Sequence, residues 1–273
     1  MTFATVIISV YRDAGALSLI LQALTLQSTR TFEVIVSQDG DDPTIAALLH
    51  SQPPPFPWRL FTQEDNGFRK NRALNRAVAS AAHHWIIFID GDCIPHRHFV
   101  AAHLHHAAIG RVSAGRRIEL GEKWSQRLRH NPKTLAQLNQ PWRYLPSMLH
   151  DKARCAELAL LPQGLHPLTH KRPLALLGCN FAAHRQDLIA VNGFDERFTT
   201  AGVGEDSDID WRLRHYGIRV VNVKFSALQF HLFHPRSYDV SLANIALLKA
   251  NQATGNCRAP LGIAQYLTSE PPL

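Results

Sequence analysis

Five apolar residues in succession, Trp85 to Ile89, constrain the fold more than any other stretch of the chain. A strand with one exposed face alternates apolar and polar residues, so this unbroken run predicts a strand buried on both faces, as in a parallel sheet. Asp90, Gly91 and Asp92 follow directly and place two carboxylates at the end of the strand, where open α/β sheets bind ligands. Carboxylate oxygens suit a hard cation such as Mg²⁺ or Mn²⁺. The alternative interpretation is an ordinary Asp-Gly surface turn.

Strand-like and helix-like segments alternate around this strand. Predicted strands cover residues 5–10, 32–36, 58–62 and 85–89, and predicted helices cover residues 16–26, 42–49, 70–82 and 99–109. Repeated strand–helix units joined by short loops predict an α/β fold with a parallel sheet and right-handed crossovers. The chain has neither a GxGxxG motif after its first strand nor a GxxxxGK[ST] motif, which disfavours a dinucleotide oxidoreductase and a P-loop NTPase.

The second half of the chain has a looser pattern. It predicts strands at 112–120, 174–181, 218–223 and 227–230, and helices at 185–191, 205–216 and 241–251, the last with Leu242, Ile245 and Leu248 on one face. Residues 121–173 combine basic residues, prolines and aromatic residues. We interpret this segment either as an acceptor-binding or membrane-surface insert or as a helical subdomain with ordinary core aromatics.

Composition limits the class of protein. The 273 residues, 45% of them hydrophobic, suffice for one substantial core, and no apolar run approaches the ~20 residues of a membrane span. The N-terminus has no signal-peptide pattern, and the four scattered cysteines fit a reducing compartment, so we predict a cytoplasmic protein. The net charge of +7 favours polyanionic partners, among them phosphorylated molecules and anionic lipid headgroups. Nucleic acid is not an expected partner, because no nucleic-acid-binding signature is present.

Polar residues follow the end of each predicted strand, and parallel strands bring such ends to one edge of the sheet. They are Ser9, Tyr11 and Arg12 after the first strand, Asp39 and Gly40 after the second, Asp65 after the third, and Asp90 and Asp92 after the fourth. A tyrosine ring can stack on a nucleobase, and a buried carboxylate such as Asp39 can accept a hydrogen bond from a base N–H. A helix-capping turn is the alternative interpretation of Asp39 and its neighbours.

Arginines cluster where the third predicted helix begins. Arg69, Arg72 and Arg76 recur at three- and four-residue spacing, and a helix start flanked by arginines is a good site for a diphosphate. A solvated basic face is the alternative, and it is the interpretation we prefer for Arg76. Arg116 and Arg117 follow Gly115, and we expect one of them, with Arg116 as our candidate, to reach phosphate or acceptor.

Six segments in one order carry a resemblance to a known family. They read SVYRDAG, SQDGDDP, QEDNGFRKNRALNRAV, IIFIDGDCIP, GCNFAAHRQDLIAVNGFDERF and GEDSDIDWRLRHYG. The chain thereby resembles family 2 glycosyltransferases of the GT-A fold, in the branch of bacterial polysaccharide and chondroitin-type polymerase domains, with a galactosyltransferase-like C-terminal segment. The likeness covers about residues 4–120 and 174–235. The chain departs from the family at Tyr11-Arg12, where Tyr-Asn is frequent.

The resemblance implies a fold, a donor and a reaction. The fold is a Rossmann-like α/β architecture with a mixed, mostly parallel sheet flanked by helices and a small helical insert. We divide it into a nucleotide-sugar-binding half (1–120), a variable insert (121–173) and an acceptor half of the same domain (174–273). The implied reaction is an inverting transfer from a nucleotide diphosphate sugar, which we expect to be a UDP-sugar, with bound Mn²⁺ or Mg²⁺. We expect a glycan or lipid-linked acceptor in bacterial surface polysaccharide synthesis, and peripheral docking at the inner membrane face is a further hypothesis.

The resemblance also implies residue roles. The acidic pair Glu205-Asp206 would face the transfer point, with Asp206 as the base and Glu205 orienting acceptor hydroxyls, although acids at a helix start also complement the helix dipole. Asp92, Asp90 and His231 would hold the metal, with His234 in reserve. The predicted nucleotide-sugar site consists of Ser9, Tyr11, Arg12, Asp39, Asp65, Arg69, Arg72, Asp90, Gly91 and Arg116.

Two other functions stay open at this point. A nucleotidyltransferase also combines a parallel sheet with metal carboxylates, although the chain lacks an early GxGxR-type loop. A non-catalytic basic module that binds polyanions would show salt-sensitive binding without metal dependence.

Overall fold

The computed structural model describes residues 3–159, 174–202, 204–235 and 241–267. These residues form two sheets. The strands are β1 (Ala4–Val10), β2 (Phe32–Gln38), β3 (Trp58–Phe61), β4 (Trp85–Asp90), β5 (Cys93–Pro95), β6 (Arg111–Ala114), β7 (Arg116–Glu119), β8 (Phe181–His184), β9 (Arg219–Asn222) and β10 (Leu228–His231). The larger sheet has the order β3-β2-β1-β4-β8-β6-β9, and the smaller one has the order β5-β10-β7.

Helices flank the larger sheet. They are α1 (Ala14–Thr25), α2 (Pro43–Ser51), α3 (Lys70–Ala79), α4 (Phe99–His105), α5 (Glu122–His130), α6 (Pro141–His150), α7 (Arg185–Ala190), α8 (Glu205–His215), α9 (Leu242–Thr254) and α10 (Ala264–Leu267), with 3₁₀ helices at Pro132–Asn139 and Ala156–Ala159. Residues 121–159, the described part of the predicted insert, are mainly helical. None of the helices among the described residues combines the length and apolar content that crossing a bilayer requires.

The larger sheet is mixed and mostly parallel, which confirms the predicted fold class. β1 pairs in parallel with β2 and β4, while β8 runs antiparallel between β4 and β6. Because Ser9 is in register with both Ser37 and Asp90, the residues that follow these three strands meet at one edge of the sheet. This edge carries the candidate site.

The central strand β4 is buried on both faces, as its sequence predicts. Ile87 and Ile89 pack into one core, together with apolar residues of α1 such as Leu17. Ile86 and Phe88 enter a second core, which contains apolar side chains of α3 and α8. Strand alternation therefore sends successive β4 side chains into two helix layers, and the sheet lies between them.

Two predicted strands are wrong because of Asn180. The predicted strand 112–120 is broken at Gly115 into β6 and β7, which belong to different sheets. A Cβ at Gly115 would lie 2.0 Å from Asn180 Oδ1, so the chain bends around that side chain. Residues 174–180 are not a strand either: Asn180 N–H donates to the Leu177 carbonyl across 2.7 Å in a turn, and the strand begins only at Phe181.

Candidate active site

A cleft of about 890 Å³ opens at the carboxyl edge of the larger sheet. Side chains from distant parts of the chain line it, and those used below are Lys70, Asp90, Asp92, Arg117, Glu205, Asp206, His231 and His234. Asp92 and Asp206, predicted for the metal and for the base, therefore face the same cavity.

One carboxylate and two imidazoles converge at one end of this cleft. Asp92 Oδ2 lies 3.2 Å from His231 Nε2 and 3.3 Å from His234 Nε2. Burial raises the pKa of Asp92, but hydrogen bonds from both histidines outweigh burial and hold it well below the ordinary value. One donor atom from each of the three residues lies within 4.8 Å of the others. Carboxylate and imidazole donors suit Mn²⁺, so this cluster fits the metal that the sequence implied.

Strand pairing produces this cluster. Asp92 connects β4 to β5, and β5 pairs antiparallel with β10 so that Cys93 lies opposite His231. The Leu232 N–H then donates to the Asp92 carbonyl across 2.9 Å. Gly91 allows the turn to pack against β1, since a Cβ there would lie 2.9 Å from the Ser9 carbonyl oxygen.

Asp90 was predicted as a metal ligand, but in the structure its side chain forms an ion pair with Lys70. Its Oδ1 lies 2.8 Å from Lys70 Nζ, and it does not belong to the group formed by Asp92 and the two histidines. His234, the reserve candidate, takes the third place in that group.

The acidic pair begins helix α8 and lines the same cleft. Burial raises the pKa of Glu205 to about 7, although Lys70 acts to lower it. Among the described residues, no hydrogen-bond donor reaches Glu205 Oε2, which is buried. Asp206 Oδ2 accepts the Gly178 N–H at 3.4 Å. Both carboxylates at the helix start therefore line the cleft, but Glu205 has a buried oxygen that no described donor reaches, whereas Asp206 accepts a backbone N–H.

A second cavity, of about 270 Å³, gathers residues predicted for the nucleobase. Arg12, Asp39 and Asp65 line it, and Arg12 forms an ion pair with Asp65. Asp39 accepts hydrogen bonds from Gln63 Nε2 at 2.7 Å and from the Arg69 N–H at 2.8 Å, while burial raises its pKa. The Arg12 guanidinium lies 4.9 Å from the centre of the exposed Tyr11 ring. An acceptor-rich pocket with an adjacent aromatic ring can hold a base.

Three predicted arginines do not turn their guanidinium groups toward the large cleft. Arg69 Nε donates to the Asn66 carbonyl, so its contribution near Asp39 is its backbone N–H. Arg72 contacts Tyr266 instead, and Arg116 donates to the carbonyls of Gly115 and Ala175. Their predicted contacts with phosphate therefore find no support in this geometry.

Two cations of the cleft, Arg117 and Lys70, are not among the site residues that we selected from the sequence, although Arg117 was the alternative to Arg116. Arg117 rather than Arg116 lines the cavity, because successive residues of β7 point to opposite sides. Its Nη1 lies 3.6 Å from Cys179 Sγ and its Nη2 lies 3.7 Å from Glu119 Oε1. Lys70 is the other. Its position at the first turn of a predicted helix, beside Arg69, was the available signal.

Comparison with solved structures shows the same fold. The mannosyltransferase PcManGT from Pyrobaculum calidifontis, in complex with GDP-Man and Mn²⁺, has a TM-score of 0.58 at 18% identity, over 97% of this chain and 67% of that one. S. aureus TarS 1-349 in complex with UDP-GlcNAc has a TM-score of 0.62 at 15% identity, over 97% of this chain and 69% of that one.

Sequence comparison adds relatives and family assignments. Validoxylamine A glucosyltransferase of Streptomyces hygroscopicus subsp. jinggangensis (strain 5008) is 26% identical over 253 residues, which are 89% of this chain and 58% of the relative. The hyaluronan synthase of Pasteurella multocida is 29% identical over 92 residues, 33% of this chain and 10% of the synthase. The chain thus spans less than two thirds of either relative.

Two family descriptions match in succession. Residues 167–235 match the family described as the N-terminal domain of galactosyltransferase. Residues 5–159, more than half of the chain, match the family described as glycosyl transferase family 2. The chain therefore belongs to glycosyl transferase family 2.

Proposed function

We propose that this chain is a metal-dependent, inverting glycosyltransferase that moves a sugar from a nucleotide diphosphate sugar to a hydroxyl of a glycan or lipid-linked acceptor. The observation that carries the proposal is the single cleft into which both Asp92 and Asp206 open. Direct displacement at an anomeric carbon needs the leaving group and the attacking hydroxyl on opposite sides of that carbon. A cleft that is lined both by the Asp92 cluster and, from a separate element, by Asp206 supports such an arrangement.

The donor half of the site extends along the sheet edge. The cavity around Asp39 would take the nucleobase, with Tyr11 as a stacking surface and Arg12 over its ring. Arg117 would contact the diphosphate in the large cleft, because a guanidinium forms charge-assisted hydrogen bonds with phosphate oxygens. This arrangement supports a donor that is long and carries a nucleotide at one end.

The metal would be held by Asp92, His231 and His234, with Mn²⁺ the better match to two imidazoles than Mg²⁺. When bound, a divalent metal offsets the negative charge that builds on the departing diphosphate. The structure of PcManGT with GDP-Man and Mn²⁺ supports this assignment by analogy of fold.

Asp206 would act as the base on the acceptor side. It would take the proton of the acceptor hydroxyl while that oxygen forms its bond to the anomeric carbon, and the bond to the diphosphate oxygen breaks with its electron pair. Glu205, beside it in the same cleft, would orient the acceptor hydroxyls. We prefer Asp206 as the base because Glu205 Oε1 lies 3.9 Å from the Lys70 ammonium and its other oxygen is buried.

The donor is proposed to be a UDP-sugar and the pathway to be bacterial surface polysaccharide synthesis. Similarity to a hyaluronan synthase segment and to TarS with bound UDP-GlcNAc supports both points. The net charge of +7 supports docking on an anionic membrane surface on the cytoplasmic side, where a lipid-linked acceptor would be presented. Co-sedimentation with anionic but not neutral vesicles tests the docking.

Thermal shift with a panel of nucleotide sugars, with Mn²⁺ and with chelator, tests the proposed function. We expect one nucleotide class to raise the melting temperature, and only with metal. Incubation of that donor with simple glycans should then yield a glycoside and nucleotide diphosphate. Release of free pyrophosphate would indicate a nucleotidyltransferase. Salt-sensitive binding of nucleic acid, with no shift by any nucleotide sugar, would indicate a polyanion-binding module.

A further inference from the structure

Lys70 lies between the two walls of the cleft and contacts both. We infer that Lys70 is a positioning residue for the transfer, which holds the donor-side carboxylate Asp90 and the acceptor-side carboxylate Glu205 in one fixed arrangement. The inference rests on the proposed function, because the terms donor side and acceptor side apply to the two carboxylates only if the chain transfers a sugar.

The contacts of the ammonium group define this bridge. Lys70 Nζ lies 2.8 Å from Asp90 Oδ1 and 3.9 Å from Glu205 Oε1. The two oxygens are therefore no farther apart than the sum of these distances. One ammonium group thus lies between a carboxylate at the end of β4 and a carboxylate at the start of α8. The Lys70 side chain is 15% exposed, which makes this an ion-pair bridge with little solvent screening.

The backbone of Lys70 is fixed on both sides. The N–H of the preceding residue, Arg69, donates to Asp39 Oδ2 across 2.8 Å. The side chain of the following residue, Asn71, donates to the Asp195 carbonyl across 2.8 Å and is buried. The residues before and after Lys70 are therefore anchored to Asp39 of the nucleobase cavity and to Asp195. These two anchors fix the position of the helix start from which the Lys70 side chain extends.

Charge explains why the bridge matters. Asp90, Glu205 and Asp206 all face the cleft, and the negative charges of Asp90 and Asp206 raise the pKa of Glu205 while Lys70 lowers it. Without the ammonium group, like charges would oppose the close placement of the two walls. Nucleotide diphosphate binding depends on Asp92, Asp39 and their neighbours, so it should survive the loss of Lys70, whereas the approach of acceptor to donor should not.

The test compares Lys70→Met, which keeps the length and removes the charge, with Lys70→Arg, which restores a cation. Lys249→Met, at an exposed lysine of α9, is the matched control. Isothermal titration with nucleotide diphosphate and Mn²⁺ measures donor-side binding, and steady-state kinetics measures kcat and acceptor KM. Melting curves report whether each variant is folded.

We expect Lys70→Met to bind nucleotide diphosphate as tightly as the wild type and to lose about 100-fold in kcat, the cost of a displacement near 1 Å. Lys70→Arg should regain most of that loss, and Lys249→Met should match the wild type. An unchanged kcat in Lys70→Met, an equal loss of nucleotide affinity, or no recovery with arginine would each overturn the inference. A wild-type protein that binds no nucleotide diphosphate and transfers no sugar would overturn the proposed function, and the inference with it.

Discussion

His231 Nε2 lies 3.2 Å from Asp92 Oδ2, although the two residues belong to segments that match different family descriptions. Asp92 comes from the glycosyl transferase family 2 segment and His231 from the galactosyltransferase-like segment. Neither segment alone holds the cluster. The pairing of β5 with β10 brings the two residues together, and the first prediction concerns this cluster.

Asp92→Asn should abolish most metal-dependent nucleotide binding. The amide keeps the size of the side chain but removes the charge that both imidazoles share. Loss of a direct ligand should exceed the roughly 10–100-fold cost of losing an outer hydrogen-bond partner. Isothermal titration with nucleotide diphosphate and Mn²⁺ measures this. Glu122→Gln, the same change of charge at an exposed residue lining the same cleft, is the control, and equal affinity in Asp92→Asn would refute the metal assignment.

Asp206→Asn should leave donor binding intact and remove most turnover. A positioned general base contributes roughly 10²–10⁴-fold to a rate, and the amide cannot take the acceptor proton. Single-turnover sugar transfer, measured beside nucleotide diphosphate affinity, separates the two effects. Asp210→Asn, one turn further along α8 and paired with Arg214, serves as the control. Turnover that is equal in the two variants would exclude Asp206 as the base.

Glu205 should make stability depend on pH. The folded protein keeps this carboxyl protonated up to about pH 7, whereas an unfolded chain releases the proton near the ordinary pKa of 4.5. Its contribution to stability is therefore complete below pH 4.5 and is lost as the pH rises through 7.

Melting temperatures of the wild type and Glu205→Gln, measured from below pH 4.5 to above pH 7, test whether stability falls with rising pH as the raised pKa requires. Between pH 4.5 and about 7 the wild type should progressively lose stability relative to the variant, because the amide cannot ionise, and above pH 7 the difference should stay constant. Glu157→Gln, at an exposed glutamate, should follow the wild-type curve. Parallel curves for the wild type and Glu205→Gln would contradict the raised pKa.

Two ion pairs with the same spacing on α8 should differ in their effect on stability. Asp208 and Arg212 are fully buried, at 2.7 Å, whereas Asp210 and Arg214 are partly exposed, at 2.8 Å. Asp208→Asn leaves a buried guanidinium without its charge partner and should cost about 3–5 kcal/mol in the free energy of unfolding. Asp210→Asn should cost less than about 1 kcal/mol. Urea unfolding of both variants measures the difference, and equal losses would show that burial does not govern it.

The central strands could be predicted because their apolar sequence is compatible only with a strand that is buried on both faces. An unbroken run such as Trp85 to Ile89 has no polar side to turn toward water, and β4 spans Trp85–Asp90. Helix α3 was also predicted from its apolar spacing, and it ends at Ala79, three residues before the predicted end. In both cases the local pattern of residues contains the information that decides the structure.

Features that depend on distant contacts could not be predicted. The break at Gly115 depends on Asn180, which fills the space beside it. The sequence places Leu242 on the apolar face of helix α9, yet Leu242 is 78% exposed. Asn251 of the same helix is buried instead, because its amide donates to Asp195 and Asp208 across 3.0 and 2.8 Å. Neither contact is visible in the spacing of the residues.

The candidate site shows the same limit. Successive residues of β7 face opposite sides, so the residue at which the strand starts decides which arginine faces the cleft. A shift by one residue would put Arg116 there instead of Arg117. Asp90 carries a carboxylate like Asp92, but the sequence does not show that Lys70 reaches it. The kinds of side chain at the sheet edge were therefore predictable, whereas the partners of each one were not.

The antiparallel strand β8 has a consequence for recombining such proteins. β6, from the first family segment, pairs with β8 on one side and β9 on the other, and both partners come from the second segment. β8 also covers the flank of β4. A chimera joined between the two segments would thus replace the middle of a sheet rather than append a module. Acceptor halves can be exchanged among relatives only if the incoming β8 pairs with the host strands β4 and β6 and the incoming β9 pairs with the host strand β6.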